Sequence, residues 1–286
     1  MKIGIVTDTG CNITPKEAEE LNIHLVPLEL IFEDESYLDG VELSTEEFYK
    51  KMRKSNHVPT SSQPTYGAFY ELYEKIIDDY DKIISIHLSS DISGAVETAQ
   101  MVANEIDSSK IEIFDTKLVS LLSRNLVLEA KKQIDEGKAY EEIIETLKYG
   151  RERSVAYILF GSLDNVTKSG RVPGLVGKLA DMIQIKPIVK VSTEGFEVKK
   201  AVRTSKRASR AIEKLVSTEI EALDYPTIVE YVHGDVIEKL EEMRKKFIKK
   251  HPEQDNQIHR LAGVVGVHAG PDMIGYSITP DYSKIS

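Results

Sequence analysis

Residues 82–106 read KIISIHLSSDISGAVETAQMVANEI, and the fold of the chain is decided there. The apolar run Lys82–His87 is short and bounded by polar residues, which predicts a buried strand. Val96–Ile106 carries apolar residues at helical spacing, which predicts a helix. Between them lies Ser89-Ser90-Asp91-Ile92-Ser93-Gly94-Ala95. A strand that turns through Ser-Gly into a helix presents a hydroxyl and backbone N–H groups at a positive helix end, a ready anion site. In open α/β sheets ligands settle at the carboxyl ends of the strands, where this turn falls.

The same alternation runs through the first half. Strands are predicted at Lys2–Thr7, Ile23–Ile31 and Ile111–Phe114. Helices are predicted at Pro15–Leu21, Thr45–Lys54, Pro64–Asp79, and near 117–136 and 139–150. Thr14 is placed to cap the first helix with Pro15 at its first position, Ser44 and Glu47 read as a capping box, and Ser62 reads as a cap for the helix begun by Pro64. Strands separated by helices argue for a parallel sheet covered on both faces. The second half differs. After a strand at Val155–Phe160 comes the glycine-rich GSLDNVTKSGRVPG, then a hairpin of Ile185–Val191 and Phe196–Val202 turning at Ser192–Gly195. Helices at 204–222 and 234–250 follow, with strands near 226–232, 258–267 and 274–279. This mixture predicts an α+β second domain with an antiparallel or mixed sheet. The boundary is placed near residue 150, giving domains 1–150 and 151–286.

Composition narrows the function classes. The 286 residues carry 37 Lys and Arg against 47 Asp and Glu, a net charge of −10. An acidic chain of this kind is a poor candidate for non-specific nucleic-acid binding. The charge is uneven: residues 1–150 carry −14, residues 151–210 carry +8 and residues 211–286 carry −4. A basic middle segment in an acidic protein suggests a local surface for an anionic partner, with charge compensation inside the fold as the plainer reading. Cys11 is the sole cysteine, so no disulfide framework or cysteine zinc cage is expected, and a reducing, cytoplasmic location fits. No signal peptide or apolar run of membrane-spanning length is read, and the chain is expected to be a monomer.

Five polar motifs stand at predicted strand ends or in loops: Thr7–Gly10, Ser61–Pro64, Ser89–Ala95, Lys168–Arg171 and His268–Pro271. Each has a plain reading as well as a functional one. Asp8 suits a turn, Ser61, Ser62 and Ser93 suit helix caps, Arg171 suits a surface ion pair, and a lone His268 suits a core position. Together they supply hydroxyls, helix-end N–H groups, an Arg and a His. Metal-ligand spacing, a phosphate-binding glycine loop and the G-x-S-x-G elbow are all missing, so no metal and no cofactor are expected. The set points to recognition of a small carboxylate or phosphate. Two other readings stand beside it: a serine esterase or acyltransferase using Ser93 and His268 with Asp8 or Asp115 as orienter, and a lipid-responsive regulator.

Taken in order, the motifs resemble those of the DegV family. They are Thr7-Asp8-Thr9-Gly10, Pro27-Leu28, Tyr37–Gly40, Ser61–Pro64, Ser89–Gly94, Asp115-Thr116, Gly170-Arg171, Ile185–Pro187, Val202-Arg203 and His268–Pro271. The resemblance runs from residue 3 to about 279 and rests on the number and order of the motifs. It implies a two-domain fold that holds one long-chain fatty acid in a tunnel between the domains. It further implies the binding subunit of a bacterial fatty acid kinase, whose separate kinase subunit phosphorylates the carboxylate for phospholipid synthesis, with transient membrane contact on release. Carried onto this sequence, the carboxylate meets the Ser61 and Ser93 hydroxyls and the Gly94 N–H, with His268 in support. Arg171 and Arg203 face the kinase and its phosphates. Three positions depart from the usual pattern. Ser61 replaces threonine and keeps the hydroxyl, Ala95 removes a hydroxyl, and Asp272 adds a negative charge beside the 268–271 loop.

Overall fold

The computed structural model describes residues 1–162, 164–171 and 185–285. Leu163 and residues 172–174 of the glycine-rich segment, with the rest of 172–184, lie outside them. The described chain groups into two compact units. The first is Met1–Thr45, Pro59–Arg151 and Ala262–Val264, and the second is Glu46–Val58, Glu152–Leu261 and Val265–Ser286.

The first unit is built on a parallel sheet of β1 (Ile3–Asp8), β2 (His24–Val26), β6 (Lys82–His87) and β7 (Ile111–Asp115), in the order β2-β1-β6-β7. All six residues of β1 are buried, as a strand covered on both faces requires. Val6, Val26, Ile83 and Ile111 pack with Phe69, Tyr73 and Ile76 of α3 (Tyr66–Ile76) and with Ala99, Val102 and Ala103 of α4 (Ala95–Ile106). Ile5, Ile84 and Ile86 alternate with these and are equally buried. The helices α1 (Pro15–Glu20), α5 (Leu121–Asp135) and α6 (Tyr140–Arg153) complete the alternation. Thr14 caps α1 as read from the sequence: its hydroxyl accepts the Glu17 N–H at 3.2 Å while Glu17 accepts the Thr14 N–H at 3.0 Å.

Two expectations are corrected here. The single strand read at Ile23–Ile31 is two strands. Pro27 has no N–H to lend a ladder, and the chain leaves the parallel sheet there. It continues as β3 (Glu29–Phe32), which forms a separate antiparallel sheet with β4 (Glu35–Leu38) and β5 (Thr60–Ser62). Ser62 therefore lies in a strand, and α3 is capped by Thr65, whose hydroxyl accepts the Ala68 N–H at 3.1 Å.

The second unit carries a mixed sheet in the order β10-β9-β8-β13-β11-β12. Its strands are β8 (Val155–Leu159), β9 (Lys186–Ser192), β10 (Gly195–Val202), β11 (Thr227–His233), β12 (Ile258–Arg260) and β13 (Ile274–Pro280). The expected hairpin is present, with Gly195 opposite Ser192 and Val202 opposite Lys186. All neighbours are antiparallel except β11 and β12. Helices α7 (Asp164–Ser169), α8 (Ser205–Ala222) and α9 (Ile237–Phe247) belong to this half, as does most of α2 (Thr45–Lys54). Tyr231, Phe247 and Tyr276 meet edge to face at 5.2–6.3 Å in the core. The strand expected over 258–267 is a correction: it stops at Arg260, and Gly263–Ala269 is a helix, α10. Its Gly266 lies directly against the Tyr49 ring, whose hydroxyl donates to the Leu261 carbonyl at 3.1 Å. No helix of the described residues is long and apolar enough to cross a membrane.

Candidate anion-binding site

The strand order of the parallel sheet places a topological switch point between β1 and β6. From β1 the chain moves to β2 on one side, and β6 enters on the other. Crevices at such points, outside the carboxyl ends of the strands, are where open α/β sheets bind ligands. The two loops at this point are Thr9–Asn12 after β1 and Leu88–Gly94 after β6. Thr7 pairs with Ile86, which brings Asp8 beside His87.

The loop that carries Ser93 is tied at several points. Leu88 N–H donates to Asp8 Oδ2 at 3.1 Å. Ser89 N–H donates to the Leu118 carbonyl at 2.7 Å, and the Ser89 carbonyl accepts the N–H groups of Ile92 and Ser93, both at 3.2 Å. Ser93 is buried, and its hydroxyl accepts the Ala95 N–H at 3.3 Å. The N-cap of α4 is Gly94, which brings no side chain, so Ser93 stands one residue before the cap and its hydroxyl lies at the positive end of a twelve-residue helix.

Ser61 comes to this neighbourhood through its own strand. In β5 it pairs with Leu30 of β3, and the Gln63 side chain, two residues on, lies against Gly94 at the start of α4. The Gln63 amide donates to Thr98 Oγ1 at 2.8 Å. A Cβ at position 94 would collide with the Gln63 carboxamide, so glycine lets that side chain lie against the helix start without being displaced. The structure thus brings the Ser61–Pro64 and Ser89–Ala95 motifs together within the first unit.

Three carboxylates near these loops have definite partners. Asp8 is fully buried and bonds His87 Nδ1 through Oδ2 at 2.8 Å. Asp115 accepts from Lys117 N–H at 2.8 Å and pairs with Lys117 Nζ at 3.1 Å. The two carboxylates considered as orienters of a hydrolytic histidine are therefore engaged by His87 and Lys117. Asp39, from the Tyr37–Gly40 motif, is 1% exposed and accepts the Val264 N–H at 3.4 Å. Burial pushes its carboxyl up to about 7, against the hydrogen bonds from Val264, Thr9 and Gly263.

The remaining sequence candidates lie in the second unit. His268 is in the last turn of α10, and Gly270, at φ +82, ends that helix by donating its N–H to the Gly266 carbonyl at 2.8 Å. Asn165 Nδ2 donates to the Val267 carbonyl at 3.1 Å and steadies the same turn. Burial, reinforced by the Arg171 charge, pushes the His268 imidazole down to about 4, so it is neutral near pH 7. Arg171 and Arg203 are exposed, the first after α7 and the second between β10 and α8. Asp272 is not a lone added charge. Arg53 Nη2 holds it at 3.1 Å while its Nε holds Asp235 at 2.6 Å. Among the described residues no cluster of three His, Cys, Asp or Glu side chains is placed to hold a metal.

Sequence reasoning included Gln63 and Asp39 only as members of the Ser61–Pro64 and Tyr37–Gly40 motifs, and did not single out Ser85 and His87. For Ser85 and His87 there was a signal: two polar residues at i and i+2 in the otherwise apolar strand Lys82–His87 share one buried face.

Comparison with known proteins finds relatives over nearly the whole chain. A family model described as an uncharacterised protein of the DegV family matches residues 2–281. A DegV domain-containing protein of Listeria innocua is 33% identical over 275 residues, spanning 96% of this chain and 97% of the relative. A solved structure described as DegV, a fatty acid binding protein from Bacillus subtilis, superposes with a TM-score of 0.86 at 28% identity, covering 98% of this chain and 100% of that one. A DegV family protein from Thermus thermophilus, described for its fatty acid binding, has the same fold. It superposes with a TM-score of 0.89 at 23% identity, covering 98% and 100% of the two chains.

Proposed function

The chain belongs to the DegV family, and from that premise we propose that it binds one long-chain fatty acid and presents the carboxylate to a partner kinase. The observation that carries the reading is the approach of Gln63, the residue after β5, to Gly94 and Thr98 at the start of α4, at a switch point of the sheet. The fatty acid binding described for the Bacillus subtilis relative supports the ligand class.

In this reading head and tail do different work. About 15 methylenes at about 0.8 kcal/mol each supply on the order of 12 kcal/mol of burial, before binding costs are subtracted. The carboxylate, taken out of water, has to find donors. The Ser61 and Ser93 hydroxyls and the Gly94 N–H are assigned to it, with neutral His268 as a further uncharged partner. The protein contributes no nucleophile: it holds the head group still so that an incoming phosphoryl group meets it in one orientation. The basic residues Arg171 and Arg203 are assigned to the kinase or to its nucleotide phosphates. Acyl-phosphate formed in this way would feed phospholipid synthesis, with the protein contacting the membrane transiently and holding no cofactor of its own.

Two variants test the two halves separately. Ser93→Ala is expected to weaken fatty acid binding about five-fold or more, as loss of a hydrogen bond to a charged group does. Arg171→Glu is expected to keep fatty acid affinity and abolish acyl-phosphate formation with the kinase subunit. Unchanged transfer by Arg171→Glu would remove the docking role, and unchanged affinity in Ser93→Ala would remove the head-group assignment.

A further inference from the structure

Below the loop that carries Ser93, four polar side chains form one hydrogen-bonded chain with no exposure at all. Tyr73 OH lies 2.7 Å from Ser85 Oγ, Ser85 Oγ lies 2.7 Å from His87 Nε2, and His87 Nδ1 lies 2.8 Å from Asp8 Oδ2. With Asp8 ionised and His87 as the neutral imidazole, donor bookkeeping gives the chain one direction. The Asp8 carboxylate accepts, so His87 Nδ1 donates. His87 Nε2 then accepts the Ser85 hydroxyl proton, and the Tyr73 hydroxyl donates to the Ser85 oxygen. Ser85, His87 and Asp8 thus have the bonding order of a hydrolytic triad. With Ser85 fully buried and occupied by Tyr73, no substrate reaches its oxygen, and a nucleophilic role is excluded.

Burying four polar groups is a poor way to stabilise a core that apolar residues would fill equally well. What the chain does gain is defined spacing, and its two ends show where that matters. At one end the same Asp8 Oδ2 that holds His87 also accepts the Leu88 N–H, the first residue of the loop to Ser93. At the other end Tyr73 sits on α3, which follows Ser61–Gln63 after only Pro64 and Thr65. Phe69, one turn earlier on α3, packs edge to face on His87 at 5.3 Å. We propose that Tyr73, Ser85, His87 and Asp8 are positioning residues that set the separation of the Ser61 and Ser93 hydroxyls, and so tune recognition of the ligand's carboxylate and not of its tail. The inference rests on the fatty-acid reading above and assigns a role to side chains that never touch the ligand.

The test uses oleic acid carrying carbon-13 at either the carboxyl carbon or the terminal methyl, bound to the full-length protein. Wild type is compared with Tyr73→Phe, which removes a single oxygen, with Ser85→Ala, and with Ser85→Thr as the conservative control. Breaking the chain is expected to move the bound carboxyl resonance and to lower oleate affinity about five-fold, the worth of one misplaced hydrogen bond. The terminal methyl resonance stays where it is, and Ser85→Thr restores the wild-type carboxyl signal. A carboxyl resonance unchanged in both broken variants overturns the proposal, as does a shift of equal size at both ends of the lipid. Absence of bound oleate in wild type is a different failure: it overturns the fatty-acid reading itself, and the positioning role with it.

Discussion

Asp39 shows how one buried carboxylate ties an otherwise unfavourable segment in place. The sequence Gly263–Ala269 is rich in valine and glycine, both weak helix formers, and its β-branched residues read as a strand. Asp39 overrides that propensity by accepting the Val264 N–H in the first turn. Its carboxyl is raised from 3.8 to about 7, so between those values the folded chain holds a proton that the unfolded chain has released. Stability contributed by this residue is therefore present at low pH and falls as pH rises through the window, levelling off above it. Asp39→Asn keeps an acceptor and abolishes the titration. Denaturant unfolding at pH 4.5 and 7.5 is expected to show wild type losing stability relative to Asp39→Asn, by on the order of 3 kcal/mol. A constant difference between the two proteins would show that Asp39 is not buried as described. The role of Asp39 was not legible in sequence, because the backbone groups it holds, Gly263 and Val264, are more than two hundred residues away.

At the scale of elements, the approach of Gln63, just after β5, to α4 is the contact on which the proposed site depends. Gly94→Ala forces the Gln63 carboxamide away and breaks its bond to Thr98. The cost is expected to be about 1 kcal/mol, because the atom displaced is the end of an exposed, flexible side chain. In a Gln63→Ala background the same substitution is expected to cost much less, and a double-mutant cycle measures the difference. Additive costs would mean that Gln63 and Gly94 do not communicate. The elements that sequence located correctly are those with strong local signals: β1, β6, α4, the β9–β10 hairpin, and α1 with its Thr14 cap. The misread elements had signals that point two ways. The apolar run around Pro27 looked continuous, although proline cannot extend a ladder, and Ser62 looked like a cap although Thr65 stood closer to the helix.

For the molecule as a whole, the parallel α/β sheet, the mixed second sheet and the motifs at the strand ends could be read from hydrophobic period and turn chemistry. The segment exchange could not. Residues 46–58 group with the second unit, and 262–264 with the first, through contacts that no local pattern encodes. The buried Tyr73–Asp8 chain was half visible, since Ser85 and His87 stand out in an apolar strand while Tyr73 looks like any helix-face aromatic. What joins these scales in the proposed function is a division of labour: apolar burial is assigned the affinity, and a few fixed hydroxyls and N–H groups are assigned the orientation of the ligand. The most direct measurement is mass spectrometry of the purified full-length protein, native and after organic extraction. One intact, non-covalent long-chain fatty acid per chain, retained by wild type and depleted in Ser93→Ala, is the expected result. A lipid-free protein that takes up no added fatty acid, or an acyl group covalently attached to Ser93, would contradict the account.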